Sequence, residues 1–130
     1  MSRAMLQWNS FRCRHDPMGR PQHFTLLALP PIWRALRLSR IRGLRVWFRD
    51  VEIPQTDIRV TVDKGTFSPA ALRTLPDRYW GAWERASIDV TMPPDFSVGP
   101  EDTVALELRY TTRRGTRTCR ETVQCIPEMQ

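Results

Sequence analysis

The 130-residue chain holds only three cysteines, one lysine and two histidines, and each shortage removes a class of protein. Cys13, Cys119 and Cys125 are an odd set without Cys-x-x-Cys spacing, so no disulfide framework is expected and a reducing, intracellular compartment is favoured. No stretch approaches the roughly 20 apolar residues of a membrane helix. The longest candidate, "FTLLALPPIW", is interrupted by two prolines. The order of charged, apolar and small residues that marks a secretory signal is missing as well. So are the Gly-x-Gly-x-x-Gly, Walker and His-Glu-x-x-His patterns. The carboxylates are scattered, with no pair suggested in one apolar cleft. On these absences the chain is expected not to be an enzyme and to carry no cofactor.

What is present is arginine. Of 20 basic residues, 19 are arginine and Lys64 is the exception. The first 50 residues carry ten arginines against Asp16 and Asp50, a balance of +8, while residues 51–130 balance to −2. Six of the arginines fall in residues 33–49, "WRALRLSRIRGLRVWFR", without an acid among them. A basic half beside a slightly acidic one suits a polyanion partner or contact between neighbouring copies. The guanidinium fork fits phosphates and carboxylates, although a codon bias would produce the same preference. Few acids among many arginines is also the composition of an organellar transit peptide, a reading ranked below a surface role.

Length and a 41% hydrophobic content spread along the chain give one globular domain, and 11 prolines favour short elements. Residues 1–22 show no sustained period and end in turn signals, so they are read as an N-terminal arm on a domain of residues 23–130. Pro31 and the helix formers after it predict a short helix over 31–41, closed by Gly43. Beyond Gly43, Leu44, Val46 and Phe48 alternate with Arg45, Trp47 and Arg49 as in a half-buried strand. Val51 and Ile53 continue out of phase, which suggests a bulge near Asp50. Ile58, Val60 and Val62 mark a second strand ending at Lys64-Gly65, and Ile88, Val90 and Met92 a third. "SPAALRTLP" reads as a short helix with Pro69 at its first position. "DRYWGAWERA" is read as a helical turn that places Tyr79 and Trp83 on one face, and the cluster of Tyr79, Trp80 and Trp83 is assigned to the core.

The segment "TVALELRYTTRRGTRTCRETVQCI" reads as a hairpin about Arg114-Gly115. That register sets Tyr110 opposite Cys119, Leu108 opposite Glu121, Leu106 opposite Val123 and Val104 opposite Cys125. Only Glu121 is out of place on the apolar face. The expected fold is therefore mainly β: an antiparallel β-sandwich or curved sheet with two or three short helices and an extended N-terminal arm.

Two functions suit these features. The first is a non-enzymatic structural subunit of a virus or phage particle, a shell, matrix or connector, assembling with its own copies or another chain. The second is an RNA- or DNA-binding module. The residues expected to meet nucleic acid or an anionic membrane surface are Arg34, Arg37, Arg40, Arg42, Arg45 and Arg49. Those expected at an interface are Trp47, Trp8 and Phe11, Trp47 because its register turns it outward between two arginines. Cys13, His15 and His23 are ligand types, but their spacing matches no common zinc site and no metal is expected.

Overall fold

The structure, a computed structural model, describes residues 3–15, 21–93 and 101–124, with the side chains of 7–15, 21 and 22 left aside. Eleven strands make up most of these residues: β1 (Leu6–His15), β2 (Pro21–Ala28), β3 (Leu36–Arg37), β4 (Ile41–Phe48), β5 (Val51–Glu52), β6 (Ile58–Val62), β7 (Gly65–Phe67), β8 (Tyr79–Trp80), β9 (Ala86–Thr91), β10 (Thr103–Thr112) and β11 (Gly115–Gln124). Three short 3-10 helices, Leu38–Arg40, Gln55–Asp57 and Pro69–Thr74, complete the set. The mainly β, antiparallel fold expected from alternation is the one observed.

One sheet runs β1-β2-β9-β6-β7, a second runs β11-β10-β4-β5, and β3 pairs with β8 in a separate ribbon. Every pairing is antiparallel. A single apolar cluster lies between the two larger sheets. Phe24, Leu26, Ile58, Val60, Ile88 and Val90 come from one side, and Leu44, Val46, Phe48, Leu106 and Leu108 from the other. The Phe24 and Phe48 rings meet across it at 5.9 Å. Removing each such side chain from water is worth about 1.5–3 kcal/mol, so the alternation that aims them inward is the main cause of the fold.

Three local readings need correction. Residues 31–41 form no α-helix: after Pro30 the chain bends through residues 31–34 into β3 and a single 3-10 turn, burying Leu36 in the strand and Leu38 in the turn. Helix propensity there yields to burial of alternate residues. Near Asp50 the chain reverses instead of bulging. Phe48 pairs with Val51, and both loop residues, Arg49 (φ 52°) and Asp50 (φ 64°), take the left-handed conformation of a type I′ hairpin. Asp63 (φ 52°) and Lys64 (φ 61°) make the same turn between β6 and β7.

The last hairpin is shifted by two residues from its expected register. Arg113 and Arg114 are the loop, Thr112 pairs with Gly115, and only Gly115 has a positive φ, 114°. A turn centred on Arg114-Gly115 would place Arg114 in the left-handed region as well. The observed register keeps the same residues inward and replaces an Arg109–Arg120 pair with Glu107 opposite Arg120. It also sets Leu106 opposite Glu121. That carboxylate accepts hydrogen bonds from the backbone N–H of Met5 (2.5 Å) and Leu6 (3.0 Å). Glu121 thus joins the edge strand β11 to the start of β1, and the acid on the apolar face is satisfied.

The segment read as an arm supplies β1, which pairs along β2, with Met5 fully buried in the core beside it. The side chains of Trp8, Phe11, Cys13 and His15 lie outside the described residues.

Candidate functional site

The six arginines of residues 33–49 are spread over several elements. Arg34 sits in the connection between β2 and β3, Arg37 in β3, Arg40 in a 3-10 turn, Arg42 and Arg45 in β4, and Arg49 in a hairpin loop; all are exposed. Arg45 donates from Nε (2.8 Å) and Nη2 (2.5 Å) to the two Glu52 oxygens and lies 3.9 Å from Glu107. Arg49 binds Asp102 through the same fork, at 2.6 and 2.8 Å. Hydrogen bonding to Glu52 raises the Arg45 pKa and pulls the Glu52 carboxyl below its ordinary value. Trp47 is half-buried between two guanidinium groups, Arg45 at 4.8 Å and Arg120 at 4.1 Å from its ring centre. The outer face of the four-stranded sheet is therefore a ladder in which carboxylates answer Arg45 and Arg49.

A second cluster forms where β2 leaves its sheet and β9 enters it. Arg3 is 8% exposed, yet it comes from the third residue of the chain. Its Nε donates to Pro30 O at 2.9 Å, its Nη2 to Ala82 O, and its backbone N to Pro31 O at 2.7 Å. The guanidinium lies over both Trp33 (4.7 Å) and Trp83 (5.2 Å). Those rings meet edge to face at 6.0 Å. Unlike Arg3 they face outward: Trp33 is 57% and Trp83 76% exposed. Tyr79, 43% exposed, lies in the β3–β8 ribbon, where its hydroxyl accepts from Arg37 Nη2 at 2.9 Å.

Glu84 shapes this end. Its carboxylate accepts from Gly81 N (3.1 Å) and Asp63 N (2.6 Å), while its carbonyl accepts from the indole of Trp80 (2.8 Å). Trp80 is thereby held in the core, as its aromatic spacing suggested, but the turn from Gly81 to Glu84 is not helical and pushes Trp83 outward. Tyr79 and Trp83, expected in the core, are exposed, and Arg3 and Trp33 join the cluster without any expectation from the sequence. Gly81 was the available signal for Trp83, since it breaks the period. Nothing in the sequence links Arg3 to residues 30 and 82.

Several titratable groups in the described residues are committed to structure. Thr25 donates to Asp89, Arg78 approaches Asp63, and Glu84 and Glu121 cap backbone amides. Burial, then the Glu121 charge, pushes the Cys119 thiol up, which suits a packing role better than a nucleophilic one. Among the described residues no three His, Cys, Asp or Glu side chains are grouped as a metal site. No helix there is long and apolar enough to cross a membrane.

The sequence matches, over residues 1–113, the family described as C-glycoside deglycosidase beta subunit. No curated protein matches it closely enough to count as a relative. A match across most of the chain places it in that family: the chain belongs to the C-glycoside deglycosidase beta subunits. This overturns three expectations, namely the virus or phage structural protein, its RNA- or DNA-binding alternative, and the exclusion from enzymes. Absence of a catalytic signature misled because a chain can belong to an enzyme as one subunit of it. The expectation of an assembly partner stands in its general form, since a subunit family assembles with other subunits.

Proposed function

We propose that this beta subunit docks onto another subunit of a C-glycoside deglycosidase through the end of the sandwich that carries Trp33, Tyr79 and Trp83. One observation carries the reading. Among the described residues, three of the four exposed large hydrophobics flank or belong to the β3–β8 ribbon: Trp33 precedes β3 and Trp83 follows β8, their rings meeting at 6.0 Å, and Tyr79 lies in β8 itself. Isolated exposed apolar residues mean little, but grouped tryptophan, tyrosine and arginine is the composition of an interface centre. A stable interface takes about 800 Å² from each partner, more than two indoles supply, so exposed Arg34 and Arg37 belong to its polar border. Their charge asks for an acidic surface opposite.

Co-expression with the other deglycosidase subunit tests the reading. The expected result is one complex on size exclusion and release of sugar from a C-glycoside only when both chains are present. A chain that elutes alone at micromolar concentration, and leaves the other subunit's activity unchanged, overturns it.

A further inference from the structure

Arg3 presents a physical problem. A guanidinium keeps its charge at any physiological pH, and a charge withdrawn from water is tolerated when a counter-ion or a full set of acceptors replaces the lost hydration. Arg3 has neither. Nε and Nη2 reach carbonyl oxygens, but Nη1 is buried and no protein acceptor meets it. No carboxylate of the described residues pairs with this side chain. The rings of Trp33 and Trp83 lie against the guanidinium, and both are open to the outside. Such an arrangement is costly in an isolated chain and sound beneath an interface.

Resting on the docking reading, we infer that Arg3 receives a carboxylate side chain of the other subunit, entering between Trp33 and Trp83 to take the free Nη1 donor. Because the two rings meet at 6.0 Å, entry of the carboxylate requires Trp83, the more exposed, to turn aside, after which the indoles wall off water and strengthen the contact. Three features of this end agree on an acidic side chain: the unanswered charge of Arg3, the exposed cations Arg34 and Arg37, and the aromatic rim. A second copy of this chain would present the same excess of arginine and repel.

The test is calorimetric titration of the other subunit into the full-length chain. Arg3→Gln should weaken binding on the order of 30-fold or more and flatten its salt dependence, while the thermal midpoint of the isolated chain changes little. Neutralising the partner's surface acids one at a time should identify a single Asp→Asn or Glu→Gln change of similar size. Combined with Arg3→Gln, that change should cost no more than either alone. Wild-type affinity in Arg3→Gln overturns the inference, and so does a scan in which no acid couples to it. If Arg3→Gln does not fold, the scan against the unaltered chain decides by the same single-acid criterion. Loss of binding in Trp33→Ala with Trp83→Ala, but not in Arg3→Gln, removes the acid and leaves the docking reading. Full binding in the tryptophan variant removes the docking surface itself. Concentration-dependent self-association abolished by Arg3→Gln would make a second copy the occupant, and overturns the inference too.

Discussion

Trp47 and Trp83 are both tryptophans within cation–π distance of arginine, yet they belong to opposite kinds of surface. On the outer face of the four-stranded sheet, Arg45 and Arg120 clamp Trp47, and Glu52 and Glu107 stand beside Arg45. At the β3–β8 end, Arg3 lies under Trp33 and Trp83, no carboxylate among the described residues answers it, and the rings remain open. The residue types are the same. What separates the two surfaces is how far charge and apolar area are already satisfied among the described residues. Counting arginines, as residues 33–49 invite, does not draw that distinction.

The largest effect should come from exchanging the two sites. Trp33→Ala together with Trp83→Ala is expected to weaken assembly about 100-fold, the loss typical of interface anchors, whereas Trp47→Ala should change it less than about threefold. Affinities of both variants for the other subunit settle the ranking, and the reverse order would place the interface on the sheet. Next in size is Glu84→Ala, which leaves the amides of Gly81 and Asp63 without their acceptor. Urea unfolding should show a loss of about 2 kcal/mol, and the loosened turn under Trp83 should weaken assembly in parallel. A matching change on the sheet, Glu107→Gln, should stay within about 0.5 kcal/mol because its 3.9 Å contact with Arg45 is long.

The smallest effect concerns pH. Glu52 is held below its ordinary value, first by the hydrogen bond from Arg45, so the folded state binds this proton less readily than the unfolded chain. Its contribution is present above about pH 4.5 and is lost as pH falls through the lower folded value. The pair is open to solvent, so the stability difference between the protein and Glu52→Gln should be slight at neutral pH. It should vanish in acid and shrink in about 1 M salt. A difference that persists in salt would mean the sheet face is better shielded than its exposure indicates.

Strand alternation was legible because burial on one face imposes a period of two. Leu44, Val46 and Phe48 point inward as expected, as do Ile58, Val60 and Val62, and the inner residues of β10. The register of the last hairpin was less legible, since sliding by two residues preserves the faces. Cross-strand charge pairing and the φ of Gly115 chose between the two registers. The helix expected over 31–41 failed where propensity competed with the need to bury Leu36 and Leu38.

Composition and period thus determined by themselves that this chain would be strand-rich with an arginine-heavy first half, because hydrophobic alternation is a local property that survives without knowledge of partners. Tertiary structure alone decided which arginines would be answered. Arg3 meets residues 30 and 82, Glu121 meets residues 5 and 6, and Arg49 meets Asp102. Each contact joins residues at least 27 positions apart, and only the folding of two sheets onto one core brings such groups within hydrogen-bonding reach.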